Sequence, residues 1–191
     1  MPDHHAPRFE ALEGLRGTGK STLAPLLAAD RRAVLVPTVP PLIQPLRSAM
    51  DRQTNVEARM CFYLAGLFAA SERVRAHLDS GVPVVVESWF ARCLATHRAL
   101  GARLGVTLPD SLPRPVTYYL HCEEAERLRR LAARDKPVSR WDTLAETVTA
   151  EARRVYATFP MRRVDTTGRT PGEVLRMITA NMRGEPSPAD P

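Results

Sequence analysis

Long apolar runs are missing from this 191-residue chain. No stretch approaches the ~18–20 consecutive apolar residues of a membrane-spanning helix. The opening Met1-Pro2-Asp3-His4-His5 does not read as a secretory signal, and His4 and His5 fit a disordered terminus. A soluble, cytoplasmic protein is expected. Cysteine is scarce: Cys61, Cys93 and Cys122 are far apart, an odd set without paired metal spacing. That argues against a disulfide framework, and small buried apolar residues in a reducing compartment are expected instead. Lysine is nearly absent, with Lys20 and Lys136 the two present, so arginine carries the net charge of +6. Aromatic residues reach only 6% and no basic tail exists, so the positive surplus reads as a site for small polyanions rather than for a nucleic acid polymer. No internal repeat is visible. No His/Cys/Asp cluster has metal-ligand spacing, which leaves as the expected metal the Mg²⁺ that accompanies a nucleotide.

The length fits one compact domain with a sizeable core, assigned to residues 1–184, with a polar, Pro-rich tail at 185–191 expected to be disordered. Phe9-Glu10-Ala11-Leu12 reads as a first strand, followed by a glycine-rich loop and a helix from Ser21 to about Ala29. Ala33–Val36 reads as a second strand, and Pro37, Pro40, Pro41 and Pro45 break the next segment into irregular chain. From Asn55 to Leu78, apolar residues including Met60, Leu64, Leu67 and Val74 recur at helical spacing, and Gly81 stops the pattern. The run Val82-Pro83-Val84-Val85-Val86 is the clearest strand; its unbroken valines suit a strand buried on both faces. Helices are expected over 91–104, 123–134, 143–159 and 171–182, with strands at 116–120 and 163–165. Strands alternating with helices predict an α/β fold, a five-stranded parallel sheet with helices on both faces in three layers. Ligands then belong at the carboxyl ends of the strands.

Gly14-Leu15-Arg16-Gly17-Thr18-Gly19-Lys20-Ser21 satisfies G-x-x-x-x-G-K-[ST] without a gap, between a strand and a helix. Glycines let successive N–H groups curl inward onto phosphate oxygens, and the helix start adds its own N–H groups and dipole. Lys20 supplies a point charge for the β and γ phosphates, and Ser21, followed by Thr22, offers a hydroxyl to Mg²⁺. ATP and Mg²⁺ are therefore the expected cofactors.

The stretch Phe9 to Thr22 resembles the opening of thymidylate kinases and, more loosely, of deoxynucleoside kinases. Phe62-Tyr63-Leu64-Ala65 is similar to the family's helix segment that sets an aromatic ring against the acceptor base. Val84-Val85-Val86-Glu87-Ser88-Trp89 stands where the family has a strand ending in an acidic-Arg-aromatic triplet. Leu94-Ala95-Thr96-His97 resembles the next, pocket-lining helix. Arg127, Arg130, Arg134 and Arg140 resemble the mobile lid, expected at about 134–142, and Val164 to Gly168 the last strand and adenine-side loop. The resemblance implies a P-loop kinase of this kind and leaves a homodimer open.

The departures are informative. Arg16 replaces the usual Asp; Val36-Pro37-Thr38-Val39-Pro40 replaces an Arg-Glu-Pro; Gly66 and Leu67 stand where an arginine follows the ring; Ser88 replaces the triplet arginine. Most of the family's monophosphate clamp is thus missing, although Arg47 remains. Burying a dianionic phosphate without paired cations is costly. The pattern therefore favours a neutral hydroxyl acceptor, a nucleoside or nucleoside-like metabolite. Alternatives stay open: a nucleoside monophosphate kinase with a clamp rebuilt from Arg47 and Arg92, a kinase for a non-nucleoside metabolite such as an antibiotic, and a nucleotide-binding regulator with weak catalysis.

Phosphoryl transfer demands positioning and charge neutralisation. Glu87, at the end of an apolar strand, is a candidate to orient or deprotonate the attacking hydroxyl or to hold Mg²⁺ through water; the plain alternative is a surface Glu at a strand end. Glu13 reads as a structural tie between the phosphate loop and a neighbouring backbone. Arg134 and Arg140, flanking the lid loop, are candidates to neutralise the transferred group, with Arg130 behind them on the nucleotide side and Arg16 a further candidate; at least two of Arg127, Arg129 and Arg130 read as a solvated helix face. Phe62, Tyr63, Trp89, Arg92, His97 and Arg47 are the acceptor-side candidates, each with plain packing or surface exposure as its alternative.

Overall fold

The computed structural model describes residues 7–135 and 137–180. Strand β1 (Phe9–Glu13) is buried along its whole length, polar residues included. It lies at the centre of a five-stranded sheet of order β2-β3-β1-β4-β5, with β2 (Val34–Leu35), β3 (Val84–Val86), β4 (Val116–His121) and β5 (Arg162–Asp165). Every pairing is parallel. The expected three-layer α/β architecture is present, and β3 is the doubly buried strand that its valine run predicts. Its side chains alternate: Val84 and Val86 join Phe9 and Ala11 against helices α3 (Val56–Asp79) and α4 (Phe90–Ala99), whereas Val85 joins Leu12, Tyr118 and Leu120 against α1 (Lys20–Arg31) and α8 (Pro171–Ala180). Each fully buried valine contributes about 1.5–3 kcal/mol of apolar transfer.

Local chemistry sets the element ends. Asn55 caps α3 by accepting the Ala58 N–H at 2.8 Å, and Gly81, in the left-handed region, ends the chain reversal after it. Helix α4 stops at Ala99, five residues short of the expected 104, because Gly101 takes φ 94° and the chain leaves the helix there. The helix expected over 143–159 is two, α6 (Arg140–Thr147) and α7 (Thr149–Tyr156). The β-branched run Thr147-Val148-Thr149 explains the break: Thr147 turns its hydroxyl onto the Leu144 carbonyl at 2.8 Å, and Val148 sits at φ −116°. Helix α6 starts inside the expected lid, fixed by a reciprocal cap between Ser139 and Asp142. The proline-rich segment after β2 is not wholly irregular; it holds a 3₁₀ turn at Gln44–Leu46 and the short helix α2 (Arg47–Asp51). It packs on α3 at Gly66, where a Cβ would stand 2.9 Å from Ile43 Cδ1 and 3.3 Å from the Thr38 carbonyl oxygen. A side chain at 66 would displace the end of Ile43 and crowd the Thr38 carbonyl.

The last helix is described to Ala180, so the remainder of its expected span, the 185–191 tail, His4, His5 and Lys136 lie outside the described residues. Among the described residues no helix is long and apolar enough to cross a membrane.

Candidate active site

The phosphate loop leaves the carboxyl end of β1 and enters α1, the place a parallel sheet offers for a ligand. Two glycines show why the sequence must be what it is. Gly14 holds φ 133°, and a Cβ on it would lie 2.3 Å from the Leu120 carbonyl oxygen on β4. Gly19 holds φ 97° and opens α1 with no side-chain cap and no acidic residue in the first turn. The first N–H groups of α1 and its positive dipole end therefore remain available to an anion. Ser21 and Thr22 are exposed at that helix start. Thr18 Oγ1 donates to the Leu15 carbonyl at 2.9 Å, and Lys20 Nζ donates to Gly14 O and Leu15 O at 2.8 and 2.7 Å.

Charge converges on this loop. Lys20 is buried, which pushes its pKa well below the usual lysine value; neighbouring Arg92 and Arg134 push the same way, and Glu87 and Glu13 oppose them. Arg92, in the first turn of α4, donates to Gly14 O at 3.1 Å. Glu13 is fully buried; its Oε1 accepts the Trp89 N–H at 2.7 Å, and its Oε2 has no hydrogen-bond partner among the described residues. Burial raises its pKa to about 7 against the pull of that hydrogen bond and of Arg92 and Lys20. Glu13 thus ties the end of β1 to the chain after β3. Glu87 follows β3 and is exposed.

Beside the loop opens a cavity of about 340 Å³ between Gly17–Gly19, Thr22, Arg130, Arg134 and Thr166. Arg130, on α5 (Glu124–Ala132), is held rigidly: it donates to Thr166 Oγ1 at 3.1 Å and Thr166 O at 2.7 Å and pairs with Glu126, which itself accepts the Gly168 N–H at 2.8 Å. Arg16 does not point into the open cavity. It pairs with Asp142 at 3.1 Å and Glu146 at 3.6 Å and so fastens α6 to the loop. Arg127 is not on a solvated face; it is 1% exposed, donates to Arg16 O at 3.0 Å, and pairs with Glu124 and Glu146. Of the neighbouring arginines only Arg129 has the expected exposure, 75% at the side chain.

On the acceptor side the structure joins residues that are distant in sequence. Arg59 lies between the rings of Tyr63 and Trp141, 4.7 and 4.6 Å from their centroids. Asp51 accepts from Arg59 Nε and from the Tyr63 hydroxyl, both at 3.1 Å, and Trp141 Nε1 donates to Asp51 O at 2.8 Å. Arg47 pairs with Asp51 at 3.7 Å. His97 is buried with its pKa lowered to about 4 by that burial, hence neutral at pH 7. Its Nδ1 sits 2.7 Å from Cys93 O and its Nε2 2.9 Å from Arg59 Nη1, so Nδ1 carries the proton and Nε2 accepts. Phe62 packs edge-on to Tyr63 at 5.3 Å. Trp89 lies in the core between Phe9 and Phe90, 5.2 and 5.1 Å away. Arg134 and Arg140 are exposed, Arg140 with its guanidinium 5.9 Å from the Trp141 ring.

The sequence reading missed Asp51, Arg59 and Trp141. Arg59 and Tyr63 do stand four apart on one helix face, a spacing that signals contact. Relative to the kinase pattern, the arginine precedes the ring instead of following it, and Gly66 takes the other side.

No known family profile matches the chain, and no curated protein matches its sequence. Solved structures do match in three dimensions. The thymidylate kinase of Candida albicans is similar with a TM-score of 0.74 at 16% identity, covering 93% of this chain and 92% of that one. The deoxyadenosine kinase of M. mycoides, solved with bound dATP, is similar with a TM-score of 0.68 at 13% identity, covering 92% of this chain and all of that one. The chain has the P-loop kinase fold that these two proteins share.

Proposed function

We propose that the chain is an ATP-dependent phosphotransferase acting on a hydroxyl of a nucleoside or nucleoside-like small molecule. The observation that carries this is the meeting of an anion-cupping loop, an uncapped helix start and the cations Lys20, Arg92 and Arg134 at the carboxyl end of a parallel sheet. ATP's phosphates lie on Gly14–Thr22, Leu15 and Arg16 included, and its adenine enters the cavity beside Arg130 and Thr166. The donor set suits Mg²⁺: Ser21 offers a hydroxyl directly, Glu87 a carboxylate through water, and both are solvent-accessible. When bound, the ion neutralises the β- and γ-phosphate oxygens.

Glu87 orients the acceptor hydroxyl and takes its proton as the oxygen attacks the γ-phosphorus. The bond from that phosphorus to the β–γ bridging oxygen breaks, and ADP leaves. Lys20, Arg92, Arg134 and Arg140 neutralise the charge that spreads over the transferred group. Arg16 acts by anchoring α6, and the 134–142 segment shields the site from water. The acceptor lies between α2, α3 and α4 against Phe62 and Tyr63. Arg59 is already satisfied by Asp51, His97 and two ring faces, so it is a poor ligand for a dianion. That supports a neutral acceptor. Arg92 on the Gly14 carbonyl and half-exposed Arg47 favour the second reading, a monophosphate kinase with a rebuilt clamp.

A coupled ADP-release screen over nucleosides, nucleoside monophosphates and small alcohols tests this. Turnover on nucleosides is expected. Turnover confined to monophosphates selects the second reading, and no turnover above the water background overturns both.

A further inference from the structure

Side chains alternate across β4 and β5, so the face opposite the nucleotide cavity is built from different residues. Leu120 and Val164 face α1 and α8, while Tyr119, His121 and Arg163 line a second cavity of about 540 Å³ under α7. None of the chemistry proposed above uses it. Its volume lies within the range of small-molecule sites. Tyr119 and Tyr156 form its inner wall, their rings 5.0 Å apart, and Phe159 stands beside them.

The polar lining selects a charge. Arg163 is exposed, and its guanidinium has neither a hydrogen bond nor an ion pair among the described residues. Glu124, the carboxylate on the rim, is neutralised by Arg153 and Arg127 together. His121 loses proton affinity to burial, with Asp165 at 3.9 Å opposing that shift. The Arg163 guanidinium is therefore unpaired beside aromatic faces, an arrangement that takes an anion attached to a ring.

Two contacts run from this cavity to the back of the phosphate loop. The Tyr156 hydroxyl donates to Gly14 O at 3.4 Å, the carbonyl that also accepts from Lys20 and Arg92. Glu124 pairs with buried Arg127, whose Nη1 donates to Arg16 O at 3.0 Å. An anion that draws Arg153 away from Glu124 alters the partners of Arg127 and so the loop itself.

We propose that this cavity is a second small-molecule site, for a planar aromatic ring bearing an anionic group, and that its occupancy is coupled to nucleotide binding through Tyr156 and Arg127. The coupling rests on the phosphotransferase reading; the site does not.

The probe is 1-naphthalenesulfonate, followed by its own fluorescence on the full chain, with and without saturating Mg·ATP. The expected result is single-site binding that persists when Mg·ATP fills the nucleotide cavity. Arg163→Glu should weaken it at least tenfold with melting temperature and ADP release unchanged. Mg·ATP should shift the probe's affinity several-fold, and Tyr156→Phe should bind the probe yet lose most of that shift. Binding indifferent to Arg163→Glu, or displaced outright by Mg·ATP, overturns the site. An Mg·ATP shift that is absent, or fully retained in Tyr156→Phe, overturns the coupling. A chain that binds no ATP overturns the phosphotransferase reading and the coupling with it, while Arg163→Glu still decides the site.

Discussion

Glu13 gives a quantitative test of how the phosphate loop is supported. Its carboxyl is fully buried, one oxygen is held by the Trp89 N–H, and the other has no hydrogen-bond partner among the described residues. Burial lifts its pKa from the unfolded 4.5 to about 7. A raised carboxyl pKa means that the folded state binds the proton more tightly than the unfolded chain. The stability from that proton is complete below pH 4.5 and is lost as pH rises towards 7. At ~1.4 kcal/mol per pH unit, a span of about 2.5 units is worth about 3 kcal/mol. Glu13→Gln keeps an oxygen for the Trp89 N–H and removes the titration. Its amide N–H₂ replaces a buried oxygen that makes no hydrogen bond among the described residues, and a buried donor left unsatisfied costs about 1–3 kcal/mol at every pH. The variant should therefore be the less stable protein at pH 4.5 and gain on the wild type by about 3 kcal/mol by pH 8. Urea unfolding of both proteins at half-unit intervals between those pH values measures the difference. A stability difference that does not change with pH would refute the reasoning, since Glu13 would then ionise as in the unfolded chain.

The same geometry sets other outcomes. Gly14→Ala places a Cβ 2.3 Å from the Leu120 carbonyl oxygen at φ 133°, so it should cost at least about 1–3 kcal/mol in urea unfolding and abolish ATP binding. Arg127→Met removes the buried donor to Arg16 O, while Glu124 keeps Arg153 and Glu146 keeps Arg16; it should destabilise by about 1–3 kcal/mol, read as a fall in the urea midpoint. Trp141→Phe keeps a ring over Arg59 but loses the bond to Asp51 O; it should cost about 1 kcal/mol and raise the acceptor KM more than it lowers kcat.

What the sequence discloses and what it hides divide along contact distance. The phosphate loop is contiguous, and its glycines, lysine and serine declare their purpose by spacing alone. The valine run of β3 is legible for the same reason, because burial on both faces leaves nothing polar to write. The split between α6 and α7 turns on one residue in a β-branched triplet, within a pattern that is otherwise helical throughout. Arg127 sits in a charged helix where nothing local separates the buried arginine from exposed Arg129; its burial depends on a carbonyl 111 residues away. The cluster of Asp51, Arg59 and Trp141 depends on a contact across 90 residues, which no local period records.

The central claim is that the loop from Gly14 to Thr22 grips a triphosphate with magnesium. Titration calorimetry of Mg·ATP into the purified chain tests it most directly. The account predicts saturable heat at one site per chain, lost in a Lys20→Ala protein that melts as a folded domain. Absence of heat with both ATP and GTP, or an unchanged isotherm in Lys20→Ala, would contradict it.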